Sequence, residues 1–356
     1  MGNNKEIVEK FQSLLLDMVK TQIPDIHLCS WMAPYVRKHD WNIEYLEKYW
    51  ILEKDEIWSI IKEMIWQEWF EFFIENFEKD FSYALWEAKF RVNIFHDSKW
   101  YSVAIRYIPI EIPSLESLNI TKEIKSLLHR WKWLILVTWP TWSWKSTTLA
   151  SMVNYINNNF KKHIITVEDP IEFNLKSSKC LINQREIWSH CTSFARAIKS
   201  ALREDPDVIM VWEMRDPETI SAALTLAETW HLVLSTLHTN DTVQTIDRII
   251  DSFPSAAQSQ IRSQLAMSLN WVVSQILLPK KDSGTRVVAR EILINTDAVK
   301  SLIISWNIHQ LYSIIELSWQ DWMILMDKYL DTLYEKWLIS KDTFNSRIRD
   351  KDLIKN

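Results

Sequence analysis

"LVTWPTWSWKSTTLAS", residues 136–151, runs from a short apolar stretch through three closely spaced tryptophans (Trp139, Trp142, Trp144) to Lys145 and Ser146. With glycine at those three positions it is G-x-x-x-x-G-K-[ST], a phosphate-binding loop between a buried strand and a helix. Such a loop needs bare backbone, because its N–H groups and the helix N-terminus wrap the phosphates. An indole there would fill the phosphate volume. The fold reading therefore turns on whether tryptophan stands where glycine belongs.

Composition bears on this directly. The chain of 356 residues has 2 glycines and 21 tryptophans, whereas ordinary usage of about 7% would give roughly 25 glycines. The two counts together come close to what glycine alone should supply. Position agrees. In "RKHDWNIEY" Trp41 follows an aspartate between two alternating segments, where Asp-Gly forms a two-residue hairpin. Trp230 in "LTLAETWHLVLST", Trp306 in "LIISWNIHQ" and Trp337 in "LYEKWLIS" each end a helical run, the left-handed slot that glycine usually fills. A UGA codon that the source reads as glycine, and the standard table as tryptophan, accounts for the pattern. Trp50 and Trp58 are candidates for genuine tryptophans.

A chain of this length can hold two domains, each with its own core. Hydrophobic content of 47% and 24% charged residues are those of a globular protein, and a net charge of -5 argues against a broad grip on nucleic acid. No secretory signal pattern and no run of about 18 apolar residues is present, which predicts a cytosolic chain. Cys29, Cys180 and Cys191 contain no C-x-x-C pair and read as free thiols.

Residues 1–115 read as an α+β domain closed by a linker. "VEKFQSLLLDMVK" has helical apolar spacing, "FSYALWEAKFRVNIFHD" and "YSVAIRYIPI" alternate like antiparallel strands, and "IPIEIPSLESLN" carries Pro109 and Pro113. Over 116–295 strand, loop and helix alternate. "WLILVT", "HIITVE", "DVIMVW" and "HLVLSTLH" are short apolar strands, which predicts an α/β domain on a mainly parallel sheet with its site at the strands' carboxyl ends. Residues 296–356 read as a small set of C-terminal helices.

Four strand ends carry chemistry. Lys145 would neutralise nucleotide phosphates and Ser146 would take Mg²⁺, with Trp139, Pro140, Thr141, Trp142, Ser143, Trp144 and Thr147 completing the loop. "TVEDPIEF" ends a strand in Glu168 and Asp169, a pair that a solvated strand end or a helix cap would also carry. In "PDVIMVWEMRD" an apolar strand leads to Glu213, placed to meet Mg²⁺ or an attacking water. "HLVLSTLHTND" brings His238 to the position of a γ-phosphate sensor.

The ordered set WPTWSWKST, VEDPIEF, VWEMRD and WHLVLSTLHTND, with glycine for tryptophan, resembles the secretion-type hexameric ATPases, in particular their type IV pilus retraction branch. "DIHLCSW", "FRVNIF", "CLINQREIW" and "SIIELSWQDWMILMD" extend the resemblance over nearly the whole chain. It implies an N-terminal PAS-like domain, a RecA-like ATPase domain and C-terminal helices. It further implies ATP and Mg²⁺ as ligands, a homohexamer, and docking on an inner-membrane pilus platform protein, with pilin reached indirectly. Residue by residue it makes Lys145 and Ser146 the Walker A pair, Glu168 the acidic-box glutamate and favoured general base, and Glu213 the Walker B glutamate and metal ligand. His231 and His238 become the family's histidine box. Arg91 and Arg106 become arginines that reach phosphates across a subunit boundary; from sequence they are equally surface-strand arginines in ion pairs. The family's assembly branch carries a cysteine-rich zinc motif, for which this sequence has no counterpart. The retraction branch carries AIRNLIRE, where this chain has Ala298, Val299, Lys300, Ser301, Leu302, Ile303, Ile304 and Ser305. The apolar face is kept and the closing Arg-Glu pair is not. Alternative readings are an assembly or type II secretion ATPase, a nucleic-acid motor on the same core, and a non-catalytic subunit should the loop tryptophans be real.

Overall fold

A computed structural model describes the chain except residues 1, 22, 39–41, 66, 109–110, 119, 121, 130–131, 139–144, 282–285, 319, 321, 351–353 and 355–356. Two compact units are present, Met1–Glu111 with Pro170–Asn174, and Ile112–Asp169 with Leu175–Asn356. The closing helices belong to the second unit. No helix among the described residues is long and apolar enough to cross a membrane.

The first unit is built on strands β1 (Asp25–Cys29), β2 (Tyr35–Arg37), β3 (Ile43–Tyr45), β4 (Glu78–Leu85), β5 (Ala88–His96) and β6 (Tyr101–Ile108), in the order β3-β2-β1-β6-β5-β4 with every neighbour antiparallel. Period-2 alternation puts Phe90, Val92 and Ile94 of β5 and Val103 and Ile105 of β6 on one face. They join a single core with Phe11, Leu14, Leu15 and Met18 of helix Gly2–Thr21 and Ile57, Ile60 and Ile61 of helix Lys54–Met64. That helix begins with a reciprocal capping box between Glu53 and Glu56. The strands flanking Trp41, β2 and β3, pair with Lys38 N–H donating to Asn42 O. Trp41 itself lies outside the described residues.

The second unit holds β7 (Trp133–Thr138), β8 (His163–Glu168), β9 (Leu181–Glu186), β10 (Val208–Val211), β11 (Leu232–Leu237), β12 (Leu269–Pro279) and β13 (Arg286–Ile294) in the order β13-β12-β7-β11-β10-β8-β9. Every neighbour pair is parallel except β12 with β13. Both faces are covered over the central strands, which is why β7, β8, β10 and β11 are mostly apolar, whereas the edge strand β9, LINQRE, is largely polar. Leu134, Leu136, Ile209, Val211 and Val233 face helices Pro217–Glu228, Thr242–Asp251 and Ser255–Ser268. Ile135, Val137, Val208, Met210, Leu232 and Leu234 face Leu149, Met152, Val153 and Ile156 of helix Lys145–Asn159. Each such fully buried side chain contributes about 1.5–3 kcal/mol of transfer free energy. The second unit is α/β, a mainly parallel sheet with helices on both faces, following an N-terminal α+β unit.

Backbone conformation sorts the tryptophans. Ten described residues other than glycine have positive φ, and eight of them are tryptophans: Trp31, Trp86, Trp133, Trp188, Trp230, Trp306, Trp322 and Trp337. All three helix-stop positions singled out in the sequence are among them. Except for Trp133 these rings are exposed, from 37% to 74%. Trp58 is different. It lies inside a helix and packs against Phe70 and Tyr101, with ring centroids 5.2 and 4.9 Å away.

Candidate active site

Parallel pairing aligns the carboxyl ends of four strands. Thr138 of β7 pairs with Leu237 of β11, while Val211 of β10 pairs with Ser235 of β11 on one side and Val167 of β8 on the other. The ladder runs on past the strand ends, for Trp212 N–H donates to Val167 O at 2.9 Å and Met214 N–H to Thr236 O at 3.1 Å. Glu213 is thereby fixed between Glu168 and His238. The first turn of helix Lys145–Asn159 follows β7. Residues 139–144, including Trp139, Pro140, Thr141, Trp142, Ser143 and Trp144, lie outside the described residues, as do the side chains of Lys145 and Ser146.

Glu168 and Glu213 are both almost fully buried. Glu168 Oε1 accepts from Thr166 Oγ1 at 2.6 Å and from Gln184 Nε2 at 2.9 Å, so β8 and its neighbour β9 both orient the carboxylate. Glu213 Oε2 lies 2.7 Å from an Arg215 guanidinium nitrogen, and its Oε1 lies 3.2 Å from His238 Nε2. Burial pushes the Glu213 carboxyl up, but hydrogen bonds and charge from His238 and Arg215 outweigh it and hold the group at about 2. The site therefore presents an ionised carboxylate to whatever sits above the strands. Sequence reading missed Thr166, Gln184 and Arg215. Only Arg215 gave a signal, two residues past Glu213.

His231 does not join this group. It precedes β11 at the amino end, where its Nδ1 lies 3.1 Å from Thr229 Oγ1 and 3.2 Å from Leu226 O. A strand of six residues at about 3.3 Å each separates it from His238 by roughly 20 Å. Arg91 and Arg106 belong to the first unit, where they stand directly opposite each other on β5 and β6. Arg91 forks onto Asp80, with Nε–O distances of 3.2 and 3.0 Å, and reaches Glu172 at 3.5 Å. Arg106 Nε pairs with Asp25 at 2.6 Å. In this state the ion-pair reading holds for both. The three cysteines are free, and burial raises the thiol pKa of Cys180 and Cys191.

Residues 87–309 match the Type II/IV secretion system protein family. The chain belongs to this family. A twitching motility protein of Neisseria gonorrhoeae is 43% identical over 85% of this chain and 81% of its own length. The type IV pilus retraction ATPase PilT of Pseudomonas aeruginosa is 41% identical over 95% of this chain and 97% of its own. A crystal structure of the pilus retraction motor PilT with bound ADP superposes with a TM-score of 0.86 at 39% identity, covering 96% of this chain and 97% of that one. The likeness extends through both units, and the chain is a PilT-type ATPase of this family with the family's nucleotide-binding function.

Proposed function

We propose that this chain is the motor of a type IV pilus, hydrolysing ATP as a homohexamer to drive pilus retraction from the cytoplasmic face of the inner membrane. The observation that carries the proposal is the convergence of Glu168, Glu213 and His238 beside the helix that Lys145 opens. The two relatives named for twitching and retraction support the direction of force. Helix Asp297–Ile304, where the retraction branch carries its own motif, keeps a buried apolar face in Val299 and Ile303 but lacks the closing Arg-Glu pair. Contact with the membrane would be peripheral, through a platform protein.

The roles follow from chemistry. Lys145 neutralises the nucleotide phosphates. The hard oxygen donors at these strand ends suit Mg²⁺, which Ser146 and the ionised Glu213 would hold, supplying charge neutralisation on the phosphates. Glu168 takes the proton of the attacking water. Thr166 and Gln184 keep its carboxylate aimed, and burial keeps competing water away. His238 reports the state of the phosphate end to Glu213. Arg91 and Arg106, released from Asp80 and Asp25, stabilise charge on the transferring phosphoryl group of a neighbouring subunit.

The same proposal requires glycine at 139, 142 and 144, and the eight left-handed tryptophans support that reading elsewhere in the chain. An ATPase assay on the protein from its native cells, together with loss of the gene there, tests it. Expected are Mg-dependent turnover and cells that keep their pili but do not retract them. Cells without pili would assign assembly instead.

A further inference from the structure

Away from the strand ends already described, one polar cluster is buried and charged. Asp241 and Glu291 are both almost wholly inaccessible, and Arg349 bridges them, its Nη1 lying 3.4 Å from Asp241 Oδ2 and 3.2 Å from Glu291 Oε2. Each carboxylate already organises backbone. Asp241 Oδ1 accepts from Gln244 N–H at 2.7 Å, capping helix Thr242–Asp251, and its Oδ2 also accepts from Tyr312 at 3.2 Å. Glu291 Oε1 accepts from the N–H and hydroxyl of Thr242 at 2.9 and 2.8 Å, and its Oε2 accepts from Met326 N–H at 3.3 Å.

What these groups hold is the segment that follows β11, from His238 to Asp241. Arg349 Nη2 donates to Asn240 O at 3.4 Å, and Ser274 Oγ donates to the same oxygen at 3.1 Å. Thr239 and Thr245 hydroxyls meet at 2.7 Å, and Thr245 Oγ1 lies 3.3 Å from the hydroxyl of Thr138, the last residue before the phosphate loop. One end of this segment is therefore His238 on Glu213, and the other is held by a residue near the end of the chain. Arg349 is itself seated, because its N–H and that of Asp350 donate to Asp327 at 3.1 and 3.0 Å.

We propose that Arg349 is a positioning residue for ATP hydrolysis, a C-terminal strap that fixes the 238–241 segment and so keeps His238 on Glu213. The proposal rests on the ATPase reading. Two effects of the arginine have to be separated. It balances two buried acidic side chains, and removing one partner of such a group is strongly destabilising. It also tethers Asn240 O, which affects geometry at the site alone.

The test uses the full chain with glycine in the phosphate loop, comparing the parent with Arg349→Ala and with the double variant Arg349→Ala/Glu291→Gln. Replacing Glu291 by Gln removes the surplus charge and retains an acceptor for Thr242. Expected for the double variant is a melting temperature restored toward the parent's. Its kcat stays lower by on the order of tenfold and its KM for ATP is little changed, since a small misplacement at a site costs rate more than binding. A folded double variant with the parent's kcat overturns the proposal, because the arginine would then act only through charge balance. Raised KM at unchanged kcat overturns it as well. A parent that turns over no ATP is a different failure, that of the ATPase reading, and the parent control registers it separately.

Discussion

Replacing the eight left-handed tryptophans by glycine should stabilise this chain. A bulky L-residue in the left-handed region costs ~1–2 kcal/mol, which glycine does not incur. Glycine in turn loosens the unfolded chain, giving back ~0.4–1 kcal/mol per site. Lys54, Lys132, Arg262 and Lys281 lie over the rings of Trp31, Trp133, Trp230, Trp306 and Trp337 at 4.3–5.3 Å. Losing those contacts costs ~0.5 kcal/mol each at exposed sites. At the midpoints of these terms the balance over eight sites is about 4 kcal/mol in favour of glycine, a large fraction of the 5–15 kcal/mol by which a domain is stable. The assay is the denaturant midpoint of the eight-glycine chain against the chain as written, at unchanged slope. Trp58→Gly is the opposing control, since it removes a packed ring from a helix and should destabilise by roughly 3–5 kcal/mol. An eight-glycine chain no more stable than the tryptophan chain would refute the reasoning.

Further outcomes follow from the site. Glu168→Gln should retain nucleotide binding and lower kcat by ~10²–10⁴, read by phosphate release against fluorescent-nucleotide titration. Gln184→Leu should lower kcat in the same direction but less, since Thr166 still donates to Glu168. Glu213 is held at about 2 in the fold, below the unfolded carboxyl value, so its contribution to stability is complete above about pH 4.5 and is lost as pH falls toward 2. The stability gap between the parent and Glu213→Gln should therefore close as pH falls below about 4.5 toward 2, measured by denaturant titration at each pH. Leu234→Ala, in a fully buried position of β11, should cost about 2–5 kcal/mol.

Much of this was legible because local rules and the fold agree. The alternation in 81–97 and 101–110 became β4, β5 and β6. The apolar runs at 133–138, 163–168, 208–211 and 232–237 became four parallel strands, since a sheet covered on both faces gives near-continuous apolar runs in place of alternation. Trp230, Trp306 and Trp337 could be picked out as turn positions because a helix ending before a strand or a second helix asks for one left-handed residue. The hairpin of β12 and β13 was not visible. "LNWVVSQILLP" is apolar without a period, so spacing alone does not separate strand from buried helix. His231 was grouped with His238 by motif, whereas a strand's length carries the two to opposite ends. Gln184, Glu291 and Arg349 were out of reach for another reason. Their partners are brought in by sheet order and chain closure, which no local pattern encodes.

Nucleotide hydrolysis by this chain depends most on what occupies the loop that opens helix Lys145–Asn159. Peptide mass spectrometry of the protein from its native cells measures this directly, on the fragment spanning residues 136–151. Glycine masses at 139, 142 and 144 are predicted, matched by glycine at the eight left-handed positions elsewhere. Tryptophan at those three loop positions would contradict this, because three indoles would fill the space the phosphates need and leave the carboxylates of Glu168 and Glu213 with no nucleotide to act on.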